Sequence, residues 1–371
     1  MPEIYKNTIS PFLHKQDSET WHIKAREAFH LAEASPLTLW LLEKIATYKS
    51  ERLYDKRLSV VVGGVEFDNP LVVGAGWDKY GRAVRGLHRL GFAGVEVGSV
   101  LAYPQEGNPK PRQWMLAPGV AMNRLGFNSP GAEVVARNLR RYKRDGIPVG
   151  ISIGKNKDVP DTDAAKVYAL VAEILYDYAS YFAINVSSPN TPGLRRLQDK
   201  EPLKDIVLAV NNVMNSKGER KPLFVKIAPD LTETAVDDVI EVVSDYGLTG
   251  IIATNATNRG DLKIKYGRKA EEMGGISGDA EEYRKMATEK IAHIRKVAGD
   301  SLEIIGVGGV KDTATALEKI KSGARLIQVV TAIRGEGTFL PGKINRGLVE
   351  YMQQEGVGDI NELVGSGVKQ I

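Results

Sequence analysis

The sequence predicts an α/β protein, a (β/α)8 TIM barrel with a small N-terminal helical hairpin. Three observations predict it. Beyond residue 50, short apolar runs alternate with helical patterns; the runs number eight; and most of them empty into a polar or glycine-rich loop. The runs are 70–74, 94–97, 148–153, 181–186, 222–227, 250–253, 302–306 and 325–330. Each is bounded by Gly, Pro or polar residues, and many are β-branched, as buried parallel strands are. Helical patterns lie between most of them, at 163–178, 201–215, 233–246, 280–297 and 313–322. Eight such strands over ~300 residues is the count of the barrel. A doubly wound open sheet is the alternative arrangement. Ahead of the first run, 58–61 and 65–67 joined by Gly63-Gly64 read as a hairpin capping the barrel's bottom.

The division is 1–50 and 51–371. In the first part Trp21, Ala25, Phe29 and Ala32 recur at helical spacing, with Lys24, Arg26 and Glu27 on other faces. Ser35-Pro36 then starts a second apolar helix, 37–48, carrying Leu39, Trp40, Leu41, Leu42 and Ile45. Two readings stand: a hairpin packed on the barrel, or one turning an apolar face outward to a membrane or a greasy co-substrate.

Composition narrows the chemistry. At 371 residues, 43% hydrophobic and 26% charged, the chain is an ordinary globular protein able to bury one large core. A net charge of +4 and no dense Lys/Arg block give no reason to expect nucleic acid. With no cysteine there is no disulfide, thiolate metal site or cysteine base. The five histidines lack HExxH-type spacing, which disfavours a metal site. No run reaches the ~18 apolar residues of a membrane span. MPEIYKNTISPFLHKQ is neither a signal nor a transit peptide, so the expected location is the cytoplasmic side.

Barrel enzymes place their chemistry after the strands. The richest such segment is 185–198, NVSSPNTPGLRRLQ, which follows the apolar run 181–184. Its first seven residues offer two carboxamides and three hydroxyls, in a loop stiffened by Pro189 and Pro192. Lys226 lies within LFVKIAPDL, either snorkelling from a strand edge or pointing inward as a cation that needs an electron-rich partner. GVGGV at 306–310 and GISG at 275–278 let backbone N–H groups approach an anion, and barrels often bind phosphate after strands seven and eight.

These segments, with AGWDK at 75–79 and NRLGFN at 123–128, closely resemble class 2 dihydroorotate dehydrogenases over nearly the whole chain. The resemblance implies FMN-dependent oxidation of dihydroorotate to orotate in pyrimidine biosynthesis, with electrons passed to quinone. It implies Ser188 as the base taking the C5 proton, with Thr191 and the Phe127 loop forming its proton path. It implies FMN contacts from Ala75, Ser99, Ser152, Asn185, Lys226 and Thr254, and FMN phosphate at Gly278, Gly309, Val330 and Thr331. It further implies substrate contacts from Lys79, which pairs with the carboxylate, and from Asn123, Gly126, Phe127, Asn185, Asn190 and Asn255. An amino-terminal helical pair is a membrane-associated quinone entrance in that family, which implies a peripheral membrane location.

Four positions depart from the family pattern. Ser152 stands for an Asn, Ala256 for a Thr, Val330 for a Tyr, and Met115, in QWML, for the Arg of the quinone tunnel. His22 matches the tunnel's histidine. The alternatives are a non-quinone acceptor, a related FMN barrel acting on another cyclic amide, and a flavin-binding scaffold without activity.

Overall fold

The computed structural model describes residues 18–47, 54–191 and 193–368. The readings of residues 1–17, of Tyr48 as a helix end and of Pro192 lie outside the described residues. The chain runs through β1 (Val60–Val62), β2 (Val65–Phe67), β3 (Leu71–Val73), β4 (Gly94–Val100), β5 (Gln113–Ala117) and β6 (Val120–Asn123). It continues with β7 (Val149–Ile153), β8 (Tyr181–Asn185), β9 (Leu223–Ile227), β10 (Gly250–Ala253), β11 (Gly275–Gly278), β12 (Glu303–Val307) and β13 (Leu326–Val329). Eight of these close a parallel barrel in the order β10-β12-β13-β3-β4-β7-β8-β9. Almost every barrel-strand residue is buried, because the interior covers one face and the helices the other. The eight predicted runs each fall on one barrel strand, and the open sheet is excluded.

β1 and β2 pair antiparallel across Gly63-Gly64, both at positive φ. Gly63 lies against Pro222 and Thr249, which immediately precede β9 and β10, so this hairpin closes the barrel's amino-terminal end.

Three strands lie outside the eight predicted runs. Gln113–Ala117, Val120–Asn123 and Gly275–Gly278 form a small antiparallel sheet in the order β11-β6-β5 above the barrel mouth. The strands have four or five residues, too few for a period to declare itself. The local signal was Pro118-Gly119, the turn between β5 and β6, with Gly119 at φ 74°.

Helix α1 (Ser18–Ala32) and helix α2 (Pro36–Thr47) form the amino-terminal hairpin. Ser35 and Thr38 cap α2 reciprocally, each backbone N–H reaching the other's hydroxyl, with Pro36 as the first helical residue. The hairpin meets the barrel largely through its polar groups. Glu19 pairs with Arg112 at 2.7 Å, both buried. Glu27 pairs with Arg82 at 3.0 Å. Buried Glu33 accepts from the Gly86 amide at 2.8 Å and from Tyr142 at 2.6 Å, and it pairs with Arg141. Phe29, packed edge-on to Trp77 at 5.4 Å, is the main apolar contact. Leu31, Leu37, Trp40, Leu41 and Ile45 are left exposed, at 69, 65, 50, 42 and 70%. The hairpin thus packs on the barrel, as the first reading has it, while also turning apolar side chains outward.

Candidate active site

The carboxyl ends of the barrel strands, the small sheet and α1 enclose one cavity. It draws together Ala75, Lys79, Ser99, Asn123, Gly126, Phe127, Asn185, Ser188, Asn190, Lys226, Thr254, Asn255, Gly278, Gly309, Val330 and Thr331. Two predicted residues do not line it. Ser152, fully buried on β7, stands behind Ser99 and shares a 2.8 Å hydroxyl contact with it. Thr191 is buried beyond the wall.

The amides divide into two sets. Asn185, at the end of β8, donates Nδ2–H to the Ser99 hydroxyl at 2.8 Å. Its Oδ1 accepts from the Ser187 hydroxyl at 3.0 Å and from Asn255 Nδ2 at 3.3 Å. Asn255 in turn accepts from the Ala256 amide at 2.8 Å. These two amides hold the loops after β8 and β10 to each other. Asn190 differs. It donates Nδ2–H to Asn123 Oδ1 at 3.1 Å, but its own Oδ1 is buried with no hydrogen-bond partner among the described residues. Buried polar atoms are almost always satisfied, and this oxygen is free to accept an N–H from a group entering the cavity that Asn190 lines. Its backbone N–H donates to Ser188 Oγ at 3.3 Å, fixing that hydroxyl on the same wall.

Lys79 is buried and donates Nζ–H to Asn128 Oδ1. Burial, with the Arg112 charge adding to it, pushes its ammonium down to about 7. An anion beside it would gain a strong, poorly screened partner.

Lys226 points inward. Its Nζ lies 3.1 Å from Gln328 Oε1 and 3.4 Å from Glu96 Oε1. Glu96 also accepts from Gln328 Nε2 at 2.5 Å and from the Tyr181 hydroxyl at 3.0 Å. Burial and the Glu96 charge push the Tyr181 phenol well up. Four strands, β4, β8, β9 and β13, thus each give one polar side chain to a network that reaches the cavity through Lys226 and Gln328. Sequence reasoning missed Glu96 and Gln328, although each, like Lys226, interrupts an apolar strand. It also missed Tyr283, whose hydroxyl donates to the Asn255 carbonyl at 3.1 Å.

On the opposite side, Gly278 and Gly309 take positive φ, 86° and 76°. A Cβ at Gly278 would fall 2.1 Å from the Gly119 carbonyl, so only glycine lets β11 lie this close to the β5–β6 turn. Ser277 and Thr331 bring hydroxyls within 3.3 Å of each other beside it. Small residues, exposed backbone and hydroxyls suit a phosphate. The cavity runs from this side to Lys226.

The cavity continues under α1 to His22, Met115 and Arg334. His22 donates Nε2–H to the Trp77 carbonyl at 2.6 Å. Burial pushes its imidazole down to about 4, despite that bond, and Lys79, Arg26 and Arg334 repel a proton further. It is neutral at physiological pH.

Residues 57–352 match the family model described as dihydroorotate dehydrogenase. A dihydroorotate dehydrogenase (quinone) of Nostoc punctiforme is 40% identical over 380 residues, covering 99% of this chain and 99% of that protein. One from Chloroflexus aurantiacus is 40% identical over 358 residues, covering 94% and 97%. Among solved structures, DHODH from Eimeria tenella in complex with ferulenol superposes with a TM-score of 0.80 at 32% identity, covering 89% of this chain and 93% of that one. The ligand-free form gives 0.81 at 30% identity, covering 92% and 99%.

Proposed function

The chain belongs to the dihydroorotate dehydrogenase family, and we propose that it oxidises dihydroorotate to orotate in pyrimidine biosynthesis, with FMN at the strand ends, Ser188 as base and quinone as final acceptor. The observation that carries this reading is one wall of the cavity. There Ser188, Asn123, Asn190 with its unsatisfied oxygen, and Lys79 lie together. A cyclic imide with one carboxylate presents the complementary groups: ring N–H and C=O for the amides, and an anion for Lys79.

FMN, when bound, would supply the acceptor for the C6 hydride. It would be held by Ala75, Ser99, Asn185, Lys226 and Thr254, with its phosphate at Gly278, Gly309, Val330 and Thr331. Lys226 lends positive charge to that end of the site, and Glu96 keeps the lysine in place. Ser152 acts through Ser99.

The C5 proton goes to Ser188 Oγ. A serine hydroxyl is a weak base and needs an outlet for the proton. Thr191, buried with a hydroxyl lacking a partner among the described residues, would supply the next position, with the Phe127 loop forming the rest of the path. Lys79 and the Asn123–Asn190 pair hold the ring while C5–H breaks.

The amino-terminal hairpin lies over the far end of the cavity, its apolar side chains facing away from the barrel. No helix among the described residues is long and apolar enough to cross a membrane. The hairpin therefore suits lying in a lipid surface on the cytoplasmic side and admitting quinone beneath α1. Met115 favours a second reading, a non-quinone acceptor.

Anaerobic mixing of the flavin-loaded protein with dihydroorotate tests the reductive half. Bleaching of the visible flavin absorbance is expected, and it should be severely slowed in Ser188→Ala with flavin retained. No bleaching of the parent with flavin bound would sink the reading. Turnover with fumarate and none with any quinone would select the second acceptor.

A further inference from the structure

His22 cannot by itself hold a quinone carbonyl. Its single N–H is committed to Trp77, so its remaining nitrogen, Nδ1, only accepts. Met115, which pairs with Ala121 across the small sheet, offers a thioether and no donor. A carbonyl oxygen arriving here needs an N–H from another residue.

Arg334 is placed to give it. It lies in the short helix Ala332–Glu336, one turn beyond β13, and lines the cavity with His22 and Met115. Its Nη1 donates to the Ser18 carbonyl at 3.1 Å and to the Ser18 hydroxyl. Ser18 and His22 are four residues apart in α1, so their side chains leave one face, with Cβ atoms ~6 Å apart. The contact with Ser18 thus sets the guanidinium beside the imidazole at the cavity wall. The Arg334 charge is among those that keep His22 neutral.

We propose that Arg334 is the acceptor-binding cation of this chain, donating to the quinone carbonyl oxygen while His22 Nδ1 accepts from the hydroxyl formed there. This rests on the quinone reading above. The overall step is dihydroorotate plus quinone giving orotate plus quinol: two electrons and two protons leave the first and reach the second. Negative charge builds on the quinone oxygen as electrons arrive. A guanidinium stays charged throughout and offers a planar fork of donors. In a partly enclosed cavity it stabilises that oxygen more than a fully water-exposed charge would. The cation expected at 115 has moved across the tunnel to 334.

The test uses the flavin-loaded enzyme and two quinones: menadione, which is neutral, and lawsone, its hydroxy analogue, ionised at neutral pH. Binding to the oxidised enzyme is read by tryptophan fluorescence, and reoxidation of the dihydroorotate-reduced enzyme by stopped flow. Arg334→Gln removes the charge while keeping a donor for Ser18. It should leave bleaching by dihydroorotate unchanged and weaken lawsone binding roughly tenfold or more. It should also slow reoxidation by menadione. Met115→Arg added to Arg334→Gln should restore both. Affinities for both quinones within about twofold of the parent, in a variant that melts like the parent, would overturn the proposal. Should Arg334→Gln loosen the hairpin, the parent still decides, because a parent that binds lawsone no more tightly than menadione also overturns it. A parent that neither quinone reoxidises fails the quinone reading itself, before any variant is made.

Discussion

Lys226 and Glu96 face each other inside the barrel, ammonium to carboxylate at 3.4 Å, the carboxylate completely buried. Gln328 touches both, and Tyr181 completes the carboxylate's shell. The lysine that the sequence singles out for cofactor chemistry is therefore also half of a structural pair. Its charge is fixed before any ligand arrives, which is what stabilising a developing negative charge requires. The same arrangement makes a single substitution ambiguous, because removing the lysine strands a buried anion.

Lys226→Met should lower unfolding stability by about 3–5 kcal/mol, the usual cost of breaking a buried pair from one side. Lys226→Met combined with Glu96→Gln should recover most of that loss in chemical denaturation. The double variant should still fail to bleach with dihydroorotate. Bleaching at the parental rate would show that Lys226 serves the fold alone.

Arg195 joins three catalytic loops. Its Nε donates to the Ser187 carbonyl at 3.2 Å and its Nη2 to the Ala256 carbonyl at 2.9 Å. Its Nη1 pairs at 2.7 Å with Asp230, which also accepts from the Thr257 hydroxyl at 2.5 Å. The loops after β8, β9 and β10 are thereby tied one residue away from Ser188 and from Asn255. Arg195→Ala should slow flavin reduction by on the order of 10²-fold, the effect of about an ångström of misplacement. The KM for dihydroorotate should change far less, since Lys79 and Asn123 sit on other elements. Arg195→Lys, which cannot bridge both carbonyls in one plane, should recover only part of the rate. An unaltered rate of bleaching in Arg195→Ala would refute the positioning role.

The barrel was legible because each of its strands is a compact apolar run between breakers, and parallel barrel strands need nothing subtler. Lys226 was legible for the converse reason, as a charge where only apolar residues belong. Glu96 and Gln328 carry that same signal but belong to no loop motif. The face presented by α1 was not legible. Of Trp21, Ala25, Phe29 and Ala32, only Phe29 is buried, whereas Glu19, Arg26 and Glu33 are buried too. Their burial is decided by Arg112, by the ring of Tyr80 4.1 Å from the Arg26 guanidinium, and by Arg141 and Tyr142. Periodicity carries no information about partners that distant. Asn185 and Asn255 line the cavity and also brace its loops through protein partners, a double duty that no loop motif announces.

Lys79 predicts opposite pH trends for binding and for stability. With its ammonium at about 7 in the empty site, it loses its proton as pH rises through neutrality. The kcat/KM for dihydroorotate should then fall above about pH 7, by up to tenfold per unit, and Lys79→Gln should abolish that limb. Stability moves the other way. Between about 7 and 10.5 the unfolded lysine binds a proton that the folded one does not, so stability of the apo protein rises with pH across that window. Lys319, also held down to about 7 by burial, adds to the rise. At lower pH, His22 contributes a loss of stability as pH falls from 6.5 towards about 4, because only the unfolded imidazole takes up the proton there. A kcat/KM flat from neutrality to pH 9 would exclude Lys79 as the carboxylate partner.

The hairpin's two faces can be tested separately because different chemistry holds each. Inward, Glu19, Glu27 and Glu33 are anchored to Arg112, Arg82 and Arg141. Outward, Leu37 and Ile45 are 65 and 70% exposed and touch little of the barrel. Leu37→Glu with Ile45→Glu should therefore leave the melting temperature and the bleaching by dihydroorotate unchanged. Burying each side chain fully in lipid is worth about 1.5–3 kcal/mol, so losing both should reduce binding to phosphatidylglycerol-containing vesicles by on the order of 10² or more. Reoxidation by a long-chain quinone dissolved in those vesicles should slow in parallel, while reoxidation by menadione in solution should not. Equal flotation of parent and variant with vesicles would show that the exposed face does not meet lipid. Slower reoxidation by both quinones would instead mean that the substitutions had disturbed α1 and the cavity beneath it.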